Sequence, residues 1–364
     1  MSRRVVLVLP SFGGGGAERV MLTLARHLDR SAFAPVLLVV DGRGPLSAEV
    51  PPDVPVYDLR SGRLRYALFG LATALRGLRP SIVISSIGYV NLALIALRPF
   101  LRRRTRIFIR EANTPSVSLA ASHWPRLFHC GYRILYPRAD GVVCSSRRML
   151  DEMKDNIGVS SARLYLVMNP VDVCRIRTAV QVPERFPGTG RRFVAVGRLT
   201  RQKGFDRLLQ LLARLPGDTH LTLLGEGNER KRLVAMAHTL GVEERVQFAG
   251  FCANPWPLLA GADAFLLSSR WEGMPNAALE ALACGTPVIA MKEAGGIGDV
   301  AALTTVRAVR LAGDEDEFLQ LMREVDPKPV SELRPSLLPA EFEPEAVARR
   351  YSEMFSTGYL ISAL

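Results

Sequence analysis

The sequence predicts an α/β protein built from two Rossmann-like domains that face a central cleft. Three observations carry that expectation. Short apolar runs alternate with helical stretches, the pattern of a parallel sheet covered on both faces. The pattern restarts after a loose stretch running from Val182-Pro183 through Gly188-Thr189-Gly190. The chain has 364 residues, beyond the size at which single cores stop growing. The boundaries read this way are residues 1–173, 174–342 and a closing segment, 343–364.

The elements follow in order. Val5–Leu9 is a buried-strand run ending at Pro10, followed by Ser11-Phe12 and the four glycines Gly13–Gly16. Ala17, Val20, Met21, Leu24, Ala25 and Leu28 then recur at helical spacing. Further strands are expected at Val36–Val40, Ile82–Ser85, Ile107–Ile109, Val142–Cys144 and Tyr165–Met168. In the second half they are expected at Phe193–Val196, Leu221–Leu224, Val246–Phe248, Ala264–Leu267 and Val288–Ala290. A last helix spans roughly Glu343–Phe355. In open parallel sheets ligands bind beyond the carboxyl ends of the strands, so those ends are where a site is sought.

The most telling stretch runs from Leu266 to Ala290. A strand leads through a turn with Gly273 and Pro275 into a helix opening near Asn276 and stopping at Gly285-Thr286-Pro287. The free N–H groups of that first helical turn suit an anion. Two carboxylates, Glu272 and Glu280, bracket this seat and suit sugar hydroxyls better than phosphate. Diphosphate and sugar together point to a nucleotide sugar. After the first strand of the second half, Arg198 and Lys203 lie five apart around a turn, so both cations can converge on one diphosphate.

These segments resemble the retaining glycosyltransferases of family 4, in the glycosyl transferases group 1. Glu272 and Glu280 fit the Glu-x7-Glu signature, and Val196 to Phe205 is similar to the Gly-Arg-Leu-x-x-x-Lys-Gly motif. Gly-Gly-Gly-Ala-Glu-Arg at 14–19 looks like the family's first loop, Leu224-Gly225-Glu226-Gly227 like its next strand-end turn, and Gly250-Phe251 like the place where backbone meets the base. The resemblance implies a GT-B fold with the acceptor domain first, the donor domain second and the last helix packed back on the first. It also implies transfer of a sugar from a nucleotide-diphosphate donor to a hydroxyl, with retention. Gly14, Gly15, Gly16, Arg198, Lys203, Gly225, Phe251, Glu272, Gly273, Met274, Pro275, Asn276 and Glu280 would bind the donor. Among them Arg198 and Lys203 would neutralise the leaving diphosphate, Glu280 would hold the ribose and Glu272 the moving sugar.

One departure stands out. The family often places a His-Asn pair after a first-domain strand, and here Arg110-Glu111-Ala112-Asn113-Thr114-Pro115 fills that place, with Ala112 where the His would fall. Glu111, Asn113 and His123 are the residues left to serve the acceptor side. Two other readings stay open: a non-catalytic nucleotide-sugar-binding assembly partner, and a nucleotide-sugar epimerase on the same fold.

Composition narrows the setting. No apolar run approaches the ~18 residues a membrane span needs, and Met-Ser-Arg-Arg before five apolar residues reads as a first strand and not a signal peptide. Five cysteines without Cys-x-x-Cys spacing suit reduced thiols in a cytosol and argue against zinc. Asp314-Glu315-Asp316 precedes an apolar helical run and reads as a helix cap; no metal or other cofactor is expected. Asn169-Pro170-Val171-Asp172 likewise reads as structural capping. The net charge of +12 sits in residues 1–173, with 24 basic and 12 acidic residues, while 174–364 hold 23 of each. Arginines 60, 63, 65, 76 and 79, and the cluster Arg98/Arg102/Arg103/Arg104/Arg106, make a field suited to anionic lipid. They lack the interleaved aromatics of a nucleic-acid binder. The expected setting is therefore cytoplasmic, at the inner face of the cell membrane, on a lipid-linked glycan of surface polysaccharide synthesis such as lipopolysaccharide.

Overall fold

A computed structural model describes residues 2–120, 124–180, 183, 190–305, 307–327 and 332–357. The chain divides into two compact units, residues 1–170 with 341–364, and residues 171–340. The first crossing falls at Pro170-Val171, before the loose stretch at 182–190, which lies almost wholly outside the described residues.

The first unit holds a seven-stranded sheet: β1 (Arg3–Ser11), β2 (Phe33–Asp41), β3 (Val56–Asp58), β4 (Ile82–Ser85), β5 (Arg106–Arg110), β6 (Gly141–Cys144) and β7 (Leu164–Leu166). The strand order is β3-β2-β1-β4-β5-β6-β7 and every pairing is parallel. Its helices are α1 (Gly16–His27), α2 (Leu64–Leu78), α3 (Gly88–Ala96), α4 (Pro115–Ala120), α5 (Pro125–Leu135) and α6 (Arg147–Glu152). The second unit opens with α7 (Val173–Ala179). Its six-stranded sheet comprises β8 (Arg192–Val196), β9 (His220–Leu224), β10 (Val246–Gly250), β11 (Ala264–Leu267), β12 (Val288–Met291) and β13 (Val309–Ala312). These are ordered β10-β9-β8-β11-β12-β13, again all parallel. Around it lie α8 (Phe205–Ala213), α9 (Arg230–Thr239), α10 (Trp256–Gly261), α11 (Asn276–Ala283), α12 (Ile297–Leu303) and α13 (Glu315–Arg323). The closing helix α14 (Pro344–Thr357) returns to the first unit.

Burial on both faces explains why the strands read as unbroken apolar runs. In β1, Val5, Leu7 and Leu9 enter one core with α1 and α14, while Val6 and Val8 enter another with α2, α3 and α5. Every expected strand is present. The sequence reading missed β3 and β13, and both are sheet edges.

α14 completes the first core. Phe355 packs edge-on against Phe33 and Phe108, with ring centroids 5.8 and 5.1 Å apart. The Arg3 and Arg106 guanidinium groups both donate to the Phe355 carbonyl, at 3.0 and 2.9 Å, placing positive charge where the helix dipole is negative. The closing segment 341–364 carries four acidic and two basic residues into the first unit, which then has 26 basic and 15 acidic residues, a net of +11. The second unit has 21 and 20, a net of +1.

The expected caps form. Asp314 accepts from the Glu317 N–H at 2.8 Å and starts α13, and Asp172 accepts from Arg175 N–H at 2.9 Å and starts α7. Asn169 instead receives a hydrogen bond from Arg110, whose buried guanidinium also donates to Ser86 Oγ at 2.7 Å.

Candidate active site

In the second unit, the turns after β8, β9, β11 and β12 pack on one another at the carboxyl ends of their strands. Glycines permit this. A Cβ on Gly225, whose φ is +136°, would lie 2.0 Å from the Gly197 carbonyl oxygen. One on Gly295, at φ +71°, would lie 2.1 Å from the Glu272 carbonyl oxygen. Such contacts are impossible for any side chain, so backbone approaches backbone.

Within this frame Lys203 and Glu272 meet. The lysine stem lies over Gly197, where an added Cβ would come within 2.9 Å of Lys203 Cε. Its ammonium donates to Glu272 Oε1 at 2.6 Å, and Ser269 Oγ donates to the same oxygen at 2.7 Å. Glu272 is 6% exposed. The two loops are tied again where Ser268 Oγ donates to the Lys203 carbonyl at 2.9 Å and Gln202 Nε2 to the Trp271 carbonyl at 3.0 Å. Gly204 takes a left-handed φ of +67° to bring the lysine turn into α8.

Gly273, Met274 and Pro275 continue from Glu272 as a buried turn, fixed by the Gly296 N–H donating to the Gly273 carbonyl at 2.8 Å. α11 then opens with Pro275 at its cap and, among the described residues, no side chain capping it. The Ala278 N–H donates to the Pro275 carbonyl at 3.0 Å, and the positive end of the helix dipole lies at this turn. Arg198 is exposed, and among the described residues its guanidinium makes no hydrogen bond or ion pair. Phe251, 69% exposed, follows β10.

Glu280 stands one turn into α11, and its Oε2 accepts a hydrogen bond from the Trp256 indole at 3.0 Å. Trp256 belongs to α10, and Arg175 of α7 lies 5.8 Å from its ring. The sequence reading missed Trp256; the Trp-Pro opening of a short helix before β11 was its one trace.

The remaining candidates lie in the first unit. Gly14, Gly15 and Gly16 connect β1 to α1, with Gly14 at φ +88°. A Cβ on Gly15 would strike the Glu18 carboxylate at 2.3 Å. Glu111 is enclosed. It is 3% exposed, and its Oε2 accepts from Tyr132 and Tyr136 hydroxyls at 3.0 and 2.7 Å. Burial raises its pKa despite those donors, and burial with the Glu111 charge raises both tyrosines. Its Oε1 also accepts from the Ala112 N–H at 3.2 Å, so the carboxyl faces inward, while Asn113 two residues on is exposed. His123 lies outside the described residues.

The basic clusters are also sorted by the structure. Arg98 pairs with Asp140 at 2.8 Å, and Arg106 serves α14. Arg102, Arg103 and Arg104 are exposed. Among the described residues no helix is long and apolar enough to cross a membrane, and no group of three metal-binding side chains occurs.

Comparison with known proteins followed the same division. The family model of the glycosyl transferases group 1 matches residues 177–325, and that of glycosyltransferase family 4 matches residues 14–175. A relative from Campylobacter jejuni is N-acetylgalactosamine-N,N'-diacetylbacillosaminyl-diphospho-undecaprenol 4-alpha-N-acetylgalactosaminyltransferase. It is 28% identical over 89% of this chain and 87% of its own length. The lipopolysaccharide core biosynthesis glycosyltransferase LpsE of Rhizobium meliloti is 34% identical, over 45% of this chain and 47% of its own. Among solved structures, Anabaena HepE in complex with UDP superposes with a TM-score of 0.75 at 18% identity, covering 97% of this chain and 100% of that one. That likeness establishes the GT-B fold.

Proposed function

This chain belongs to the glycosyltransferases of group 1 and family 4, and from that premise we propose that it moves a sugar from a nucleotide-diphosphate donor to a hydroxyl of a lipid-linked glycan, with retention of anomeric configuration. The observation carrying this reading is the Lys203–Glu272 pair at the carboxyl ends of the second sheet, beside the opening turn of α11. As a sugar leaves, charge grows on its diphosphate. Lys203, Arg198 and the α11 N–H groups are the donors suited to meet it, in place of a metal ion. Glu272 takes the moving sugar's hydroxyls, and Glu280, oriented by Trp256, takes the ribose. No side chain there is assigned as a covalent nucleophile, so the leaving phosphate assists deprotonation of the acceptor on the same face.

Surface-glycan synthesis is supported by the two curated relatives, whose names specify a diphospho-undecaprenol acceptor and lipopolysaccharide core biosynthesis. Work at the inner face of the cell membrane follows for an acceptor of that kind. The test is transfer and donor hydrolysis by Lys203→Ala and Glu280→Ala. Each variant should lose transition-state stabilisation of about 2–4 kcal/mol, a rate drop of roughly thirty- to a thousandfold, with the fold retained. Near-parental turnover in both removes the assignment. Nucleotide-sugar binding by the parent without any hydrolysis would favour a non-catalytic binder, and an inverted product anomer would refute retention.

A further inference from the structure

Glu272 and Glu280 lie on either side of the opening turn of α11, yet they are held by different means. Glu272 accepts from a cation, Lys203, and from a hydroxyl, Ser269. Glu280 is half-buried, and its Oε2 accepts from the Trp256 indole at 3.0 Å. An indole N–H donates only and carries no charge, so it aims the carboxylate without neutralising it.

That bond serves one partner or the other. A buried tryptophan, here 7% exposed, needs an acceptor for its N–H. A backbone carbonyl would supply one without drawing a carboxylate out of water, which is costly. The surroundings of Trp256 show instead a ring fixed from several sides. It stands between Pro255 and Pro257, whose φ angles are locked, at the start of the six-residue α10. Its backbone N–H donates to the Asn254 side chain at 3.4 Å, and Arg175 lies over the ring at 5.8 Å. The Cys284 thiol donates to its carbonyl at 3.7 Å. Burial and the charge of Glu280 push that thiol up to about 12, so it stays a donor. Thr286 Oγ1 donates to the Leu259 carbonyl at 2.6 Å. Cys284 and Thr286 directly follow α11, so the helix that carries Glu280 is fastened to the short helix that aims it.

A glutamate on an open helix face samples several rotamers, and a ligand must freeze them before its hydroxyl is held. The indole removes that freedom in advance. A site prepared for a hydroxyl also rejects the analogue that lacks it, because its polar group then loses a partner. We propose that Trp256 is a positioning residue that makes the site discriminate ribonucleotides from deoxyribonucleotides, by holding Glu280 in the orientation that meets a ribose hydroxyl. The proposal rests on the transferase reading above, in which Glu280 takes the ribose, and adds how strictly that ribose is read and by which side chain.

The test is calorimetric titration of the full chain with UDP, GDP, ADP and CDP and with the 2′-deoxy and 3′-deoxy form of each. The parent should bind one of the four at least about tenfold more tightly than one of its own deoxy forms. Trp256→Phe keeps an aromatic ring and lacks the N–H. It should lose about fivefold or more of that preference, with affinity for the deoxy form held within about twofold, which also verifies its fold. On a Glu280→Ala background the same change should have no further effect. A second measurement needs no change at Trp256. With isotope-labelled tryptophan the chain gives three indole N–H signals. The one displaced by Glu280→Gln should shift on adding the ribonucleotide, and by less than half as much with the deoxy form. Equal shifts would overturn the proposal, as would a parent without ribose preference. So would a Trp256→Phe loss that is equal for both sugars, which would make the ring a packing residue. A chain that binds no nucleotide overturns the transferase reading as well, whereas nucleotide binding with an intact preference in Trp256→Phe overturns this proposal alone.

Discussion

Lys203 and Glu272 are 69 residues apart, and their 2.6 Å contact shows what sequence can and cannot convey about a site. Each was visible by its motif, because strand-end turns with fixed glycines confine such residues to one place. Partners on unrelated elements were not. Trp256 reaches Glu280 from another helix, and Tyr132 of α5 and Tyr136 just after it enclose Glu111, which no spacing near Glu111 announces. That enclosure has a measurable signature. Burial raises the Glu111 pKa, so the folded state holds its proton more tightly than the unfolded chain, whose carboxyl ionises near the ordinary value of 4.5. Stability from this group is therefore present below 4.5 and is lost as pH rises toward the folded value. Glu111→Gln does not titrate, so it should gain stability relative to the parent between pH 4.5 and neutrality. Urea melts of both proteins across that range check this, and a difference independent of pH would refute it.

Among elements, those with two buried faces were legible and those at the margins were not. β1 and β11 announce themselves as apolar runs, whereas β3 is exposed along its whole length and β13 alternates Val309-Arg310-Leu311-Ala312. Edge strands are half-paired and half-wet, so composition marks them weakly. α14 and its return to the first domain were expected, but the groups that anchor its end were not. Two arginines from β1 and the start of β5 share one carbonyl at its end, an arrangement created only by the fold. Removing both, as Arg3→Ala with Arg106→Ala, should cost about 1–3 kcal/mol. It should also increase amide exchange in α14 before the rest of the first unit opens. Exchange that rises uniformly, or not at all, would show that apolar packing of Phe355 alone holds the helix.

For the molecule as a whole, charge was the property best read in advance, since it needs only counting. The structure refines it to +11 on the first unit and +1 on the second. It also shows that Arg98 and Arg106 are occupied, which leaves Arg102, Arg103 and Arg104 to act on long-range partners. An anionic surface attracts each such arginine by roughly 1 kcal/mol, within about 8 Å at physiological salt. Replacing all three with Ala should weaken binding to phosphatidylglycerol vesicles by roughly one to two orders of magnitude in proportion to their contact. Adding salt to the parent should do the same. Binding insensitive to both changes would mean these arginines only solvate the protein.

The return of α14 also bears on how the chain is made. Its Val347, Ala348, Tyr351, Met354 and Phe355 belong to the same core as Phe33 and Phe108. A ribosome therefore completes the second unit, residues 171–340, while the first still lacks the residues that close it. At ordinary translation rates of about 5–20 residues per second, those 170 intervening residues impose a delay of roughly ten to thirty-five seconds. Throughout that interval the surface around Phe33 and Phe108 faces water and is available to a chaperone. The second domain, encoded without interruption, needs no such guardian.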